Sequence, residues 1–143
     1  MGGDGHYAAT RIAYKLGLTG PALSVGSACS SSLLAVHVAA QAIEAGECDL
    51  ALAGGMDIEF PQPTSYLHQE GGIMSRDGVC RPFDAEASGT VFGSGGGLVL
   101  LADLEVARER GWPVRAVFAG SAVNNDGSEK ASFTAPGRPA RRR

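Results

Sequence analysis

The sequence predicts an α/β domain, with sheet and helix in layers and a parallel strand pairing at its centre. Three observations carry this. Between Ala22 and Gly55 an apolar stretch, a helical stretch and a second apolar stretch follow one another in about thirty residues, the length of a βαβ unit. From Leu16 to Ile43 there is no Asp, Glu, Lys or Arg, although charged residues make up 19% of the 143-residue chain. Glycine reaches 21 residues while aromatics are 6%, so the core must come from small aliphatic side chains at close backbone approach.

The elements follow in order. Tyr7, Ile12, Tyr14 and Leu16 recur at helical spacing against Arg11 and Lys15, which predicts a helix from Tyr7 to Leu16 that stops at Gly17. A turn through Thr19-Gly20-Pro21 leads to a brief buried strand, Ala22–Val25, broken by Gly26 and Ser27. Ser27 is the expected N-cap of the next helix, Ser30–Ala45. That helix is apolar nearly all round, with His37, Gln41 and Glu44 as one narrow polar stripe, so it reads as a central helix. Gly46 ends it, and Cys48–Gly55 is the second buried strand. Met56–Ser88 has prolines at 61, 63 and 82 and no sustained period, an excursion of the length that usually serves function. Gly95–Ala102 is then a strand, Asp103 the N-cap of a helix to Arg110, Gly111 its stop, Val114–Val123 a further strand and Asn124–Gly127 a turn.

Several function classes are excluded early. Interrupted by Gly17, Gly20, Pro21, Gly26 and its serines, the uncharged stretch is not a membrane span. The net charge is −3, and no basic patch is interleaved with aromatics as a nucleic-acid surface requires. Four of the twelve basic residues, Arg138, Arg141, Arg142 and Arg143, close the chain, leaving eight basic against fifteen acidic residues before them. Three cysteines without a CxxC pair and a start without a signal-peptide pattern point to a reducing cytoplasm. His6, His37 and His68 are scattered, with no metal-ligand spacing to a cysteine or to one another.

The chemistry centres on Cys29, where the strand ending at Val25 turns into the central helix. A thiolate at a helix start is stabilised by N–H groups that lack an intrahelical partner and by the positive end of the helix dipole. The bland alternative is a small buried hydrophobe, since free cysteine is among the most buried residue types. A hydrolase nucleophile elbow needs small residues, usually glycine, two before and two after the nucleophile; Ser27 and Ser31 stand there and fit poorly. Gly93-Ser94-Gly95-Gly96-Gly97 lacks the spacing of a dinucleotide loop and the Lys-Ser/Thr ending of a phosphate loop, so close backbone packing accounts for it better. Arg76, Asp77, Arg81 and Asp84 read as an ion-paired structural loop, and His37 as a satisfied core histidine.

Ser27-Ala28-Cys29-Ser30-Ser31-Ser32-Leu33 resembles the nucleophile segment of the β-ketoacyl synthases, the condensing enzymes of fatty-acid and polyketide synthesis. The likeness continues in the family's order: Ala9–Leu16 with Gly20-Pro21, Gly54-Gly55-Met56, Arg81-Pro82-Phe83-Asp84, Gly89–Gly95, Gly120–Gly127 and Thr134-Ala135-Pro136. Where many polyketide members have Asp-Thr before Ala-Cys, this chain has Gly26-Ser27.

The resemblance implies a thiolase-like layered α/β fold, of which this chain holds part of the N-terminal half. It implies that Cys29 accepts an acyl group and that its backbone N–H is part of an oxyanion hole. It further implies substrates carried on the phosphopantetheine of an acyl carrier protein, decarboxylative condensation, no bound cofactor and no metal. Phe92 and Asn125 are candidates to line the acyl path. The two histidines on which condensation depends in the family match none of His6, His37 or His68. Residues 1–136 are therefore expected to be a partial N-terminal ketosynthase domain and 137–143 a basic tail foreign to the family. Both ends look cut, and the C-terminal half of the domain is an expected partner. A homodimer is expected for the complete domain, with neither nucleic acid nor membrane as a partner. The alternative to an active synthase is a truncated remnant without turnover.

Overall fold

The computed structural model describes residues 5–61, 65–128 and 130, which form helices α1 (Ala8–Leu16), α2 (Ser31–Glu44) and α3 (Leu104–Glu109) and strands β1 (Leu50–Asp57) and β2 (Gly95–Ala102). A short 3-10 turn at Gly5–Tyr7 leads into α1. The chain divides into two compact units, one of Met1–Gly54 with Val99–Arg143 and one of Gly55–Leu98. Thr134-Ala135-Pro136 and the basic tail lie outside the described residues.

The glycines expected as helix stops act as such, by one mechanism. After α1, Leu18 N–H donates to Ala13 O and Gly17 N–H to Tyr14 O; after α2, Glu47 donates to Ala42 O and Gly46 to Ile43 O; after α3, Trp112 donates to Ala107 O and Gly111 to Arg108 O. Each pair is a Schellman closure around a glycine at φ between 66° and 73°. At the start of α3, Asp103 Oδ1 accepts from the N–H groups of Glu105 and Val106, as its position in the sequence predicts. The N-cap of α2 is Ser30 rather than Ser27, and its side chain does not cap. The serine hydroxyls here serve the preceding turn instead.

The strand pairing differs from expectation. β1 and β2 form a two-stranded sheet, and Gly96, near the start of β2, lies against Met56, near the end of β1, so the pair is antiparallel. Neither Ala22–Val25 nor Val114–Val123 is a regular strand. Their apolar side chains signal a buried surface, but a strand also needs a partner ladder for its N–H and C=O groups. Leu23 and Val117 are each 62% exposed.

Among the described residues the buried ones are Ala53 on β1, Ala107 on α3 and Ser75 in the excursion. The small core follows from the aliphatic, glycine-rich composition together with the uncovered faces of α2. No residue of α2 is buried, and Leu33 is 73% exposed. The expected central helix is thus apolar all round and half-covered. Among the described residues no helix is long and apolar enough to cross a membrane.

Candidate active site

Four residues before α2 the backbone enters a tight turn that presents Cys29 to solvent. Ala28 has φ 53°, the left-handed conformation that a side-chain-bearing residue adopts at a cost of about 1 kcal/mol. Serines hold it there. Ser31 Oγ donates to Ala28 O at 2.7 Å and accepts from Ser27 N–H at 2.9 Å, so one hydroxyl spans the turn on both sides of Ala28. Ser30 Oγ donates to Ser27 O at 3.0 Å, which spends its only proton; the 2.8 Å bond between the Ser27 and Ser30 hydroxyls is then donated by Ser27. Ser30 N–H and Ser31 N–H close the turn on Ser27 O and Ala28 O at 3.4 and 3.1 Å. The helix proper begins with Leu34 N–H donating to Ser30 O. Cys29 thus lies between a strained residue and the α2 cap, exposed, with the turn laced on both sides.

The other sequence candidates are distributed as follows. Asn125 lies in a turn where its Oδ1 accepts from Gly127 N–H at 2.7 Å, so half of its carboxamide is committed to local structure. Phe92 belongs to the Gly55–Leu98 unit and is 57% exposed. His37 Nδ1 and the Ser121 hydroxyl share a 2.6 Å hydrogen bond, which makes the histidine a tether between α2 and the Gly120–Gly127 segment. His6 and His68 are exposed. Cys80 is exposed, with its sulfur 3.9 Å from Thr90 Oγ1, and Cys48 is half-buried beside Gly20. Among the described residues no three of His, Cys, Asp or Glu gather as a metal set would.

The excursion, which has no sequence period, contains a polar knot. Ser75 is fully buried; its hydroxyl donates to Asp77 Oδ1 at 2.7 Å and accepts from Val79 N–H at 3.2 Å. Arg81 donates to Asp77 Oδ2 at 2.7 Å, and the Ser88 hydroxyl, which accepts from Arg76 N–H, lies 3.1 Å from Ser75 Oγ. The Ser75 hydroxyl, chiefly, and the Arg81 guanidinium hold the Asp77 carboxyl well below the usual carboxylate range. Across the knot, Ser75 N–H donates to Thr90 O and Thr90 N–H to Ile73 O, at 2.7 and 2.9 Å. Tyr66 Oη donates to Ser75 O at 2.6 Å. Of the expected ion-paired loop, Asp77 and Arg81 form the pair, whereas Asp84 accepts from Glu86 N–H.

Sequence reasoning missed Ser31, Ser75 and Ser88. For Ser31 a signal existed: a hydroxyl two residues past the candidate nucleophile Cys29, where an elbow needs a small residue. Ser75 and Ser88 are thirteen positions apart, and no local pattern joins them.

Known proteins resemble this chain over most of its length. Residues 1–107 match the family described as Beta-ketoacyl synthase, N-terminal domain. A phenolphthiocerol/phthiocerol polyketide synthase of Mycobacterium tuberculosis is 50% identical over 133 residues, 93% of this chain and 9% of its own length. The spectinabilin polyketide synthase system protein NorA' of Streptomyces orinoci is 46% identical over 142 residues, 99% of this chain and 4% of its own length. This chain therefore spans less than a tenth of either relative. Among solved structures, ketosynthase twelve of the bacillaene polyketide synthase of Bacillus amyloliquefaciens superposes with a TM-score of 0.86 at 38% identity, over 93% of this chain and 24% of that one. The fold is thus the thiolase-like α/β fold of ketosynthases, in part.

Proposed function

The chain belongs to the β-ketoacyl synthase family, through that family's N-terminal domain, and from this premise we propose that Cys29 is the acyl-accepting nucleophile of a polyketide-type ketosynthase. The observation that carries the reading is the laced turn at the head of α2, which exposes a thiol beside a strained residue in the segment that resembles the family's nucleophile. Strain held in place by surrounding bonds fits a residue kept in one geometry for reaction.

In the proposed reaction the Cys29 thiolate attacks the carbonyl carbon of an acyl group carried on the phosphopantetheine thiol of an acyl carrier protein. Negative charge builds on the carbonyl oxygen, towards which Cys29 N–H is one donor and an N–H from elsewhere the second. As the intermediate collapses, the carrier's carbon–sulfur bond breaks and its thiolate takes up a proton. In the complete synthase, loss of carbon dioxide from a malonyl-type extender leaves a carbanion that attacks the acyl carbon; the carbon–carbon bond forms and the Cys29 thiolate departs. Asn125, in the same unit as Cys29, is proposed to face the acyl chain. Acyl carrier protein, the remainder of the ketosynthase domain and a second copy of that domain are the proposed partners, and the cytoplasm is the compartment.

A second reading limits the first. None of His6, His37 and His68 lies in a segment resembling the family's histidine motifs, and His37 is engaged with Ser121. On this reading the 143-residue chain accepts acyl groups without making carbon–carbon bonds.

Both readings meet one experiment. Incubation with an acyl N-acetylcysteamine thioester followed by mass spectrometry should acylate Cys29 ahead of the exposed Cys80, and the Cys29→Ala variant should lose that fast adduct. A fast adduct that persists at the wild-type rate in the variant overturns the assignment. Product formed from malonyl carrier protein by this chain alone overturns the second reading.

A further inference from the structure

We infer that Ser31 is the positioning residue for the nucleophile, which it serves by holding the left-handed Ala28 in place; this rests on Cys29 being the acyl acceptor. The single Ser31 hydroxyl donates to Ala28 O at 2.7 Å and accepts from Ser27 N–H at 2.9 Å. It therefore links the Gly26–Ser27 peptide N–H to the Ala28 carbonyl, across Ala28, whose φ of 53° an alanine does not favour. Among the described residues no other side chain spans the turn in this way: Ser30 bonds only Ser27, through its carbonyl and hydroxyl. Ser31 is itself the first residue of α2, so the clamp also sets the angle at which the turn enters the helix. Cys29 is bonded directly to the clamped Ala28. A turn free to relax to negative φ would carry the sulfur off the geometry from which it attacks, and a misplacement of this kind slows reaction without removing any reacting group.

The reaction read is acylation from an acyl N-acetylcysteamine thioester: the Cys29 sulfur–carbonyl carbon bond forms, the donor's carbon–sulfur bond breaks, and the thiol proton ends on the released cysteamine thiol. In the same molecule Cys80 is exposed and Cys48 half-buried. The Cys29-to-Cys80 ratio of adducts therefore measures positioning, and Cys48 reports opening of the chain. Wild type should acylate Cys29 faster than Cys80. Ser31→Ala should lower that ratio about fivefold, the population cost of one ordinary net hydrogen bond, with Cys48 unchanged. Ser31→Thr, which keeps the hydroxyl, should restore it, a rescue that a space-filling role would not give.

An unchanged ratio in Ser31→Ala overturns the inference and leaves the role of Cys29 standing, as does a Ser31→Thr variant as slow as Ser31→Ala. Wild-type Cys29 no faster than Cys80 overturns both. Should Ser31→Ala expose Cys48, the double variant Ala28→Gly/Ser31→Ala decides, because glycine takes φ 53° without a Cβ penalty. Recovery of the ratio supports the clamp, and its absence overturns it.

Discussion

The turn at residues 27–31 and the knot at residues 73–90 solve one problem, an irregular backbone held in one shape, by different means. The knot is inward: a fully buried hydroxyl, an ionised carboxylate and a guanidinium satisfy each other, and two parallel-running segments bond across it. The turn is outward: its bonds are short and local, every one between residues at most four apart, and the residue they serve faces solvent. Long-range polar bonding makes a loop rigid on its own account. Local bonding sets one angle and leaves the rest of the surface for other groups, which suits the proposed nucleophile and the carrier-borne substrate proposed for it.

The contrast is broken most severely at Gly89. Its φ is 146°, and a Cβ there would lie 2.7 Å from Ile73 O, Met74 C and Ser75 N, all backbone atoms that cannot turn aside. Gly89→Ala should cost about 3 kcal/mol or more, seen as lost amide protection at Ser75 and Thr90, while acylation of Cys29 persists. Ser75→Ala comes next. It leaves Val79 N–H with Asp77 Oδ1 as its acceptor and removes the main donor to Asp77, an expected loss of about 1 kcal/mol in denaturant unfolding.

The pH dependence sharpens the comparison further. Asp77 is depressed in the folded chain from its ordinary 3.8, so the stability it contributes is fully present above that value. It is lost only as pH falls below 3.8 towards the folded value. In urea titrations, the gap between wild type and Asp77→Asn should be constant near neutral pH and close in strong acid. A gap that closes between about pH 7 and 5 would show that the knot does not hold the carboxylate as described.

The smallest effect is expected on α2. Leu33 is 73% exposed although it follows the laced turn within a single helical turn. Leu33→Ala should change the stability of this chain by less than about 0.5 kcal/mol, measured by thermal unfolding. A large loss would mean that α2 is covered in solution by a surface other than those described.

Much of this was legible from short-range pattern. Helix ends depend on one glycine with positive φ and on one capping aspartate, and the chain within a few residues decides both, so Gly17, Gly46, Gly111 and Asp103 could be read directly. The exposed turn at Cys29 could be singled out because the chemistry of a thiol at a helix start depends on adjacent residues and because its segment resembles a family's, and its nucleophilic role is proposed. Strand pairing was not legible. Ala22–Val25 and Val114–Val123 are apolar, but a ladder is a property of two segments, and the antiparallel partner of β1 lies beyond the excursion.

The sequence alone therefore determined where the helices end, where α3 begins, which thiol is the candidate nucleophile and which family the motifs resemble, since each depends on residues within one or two turns of chain. Only the tertiary structure decided that Ser75 and Ser88 meet over Asp77, that His37 is engaged by Ser121, and that one serine hydroxyl spans the strained residue before Cys29. The physical reason is that a hydrogen bond needs both partners within about 3 Å and aligned, and the path of the backbone, rather than the identity of either residue, brings them there.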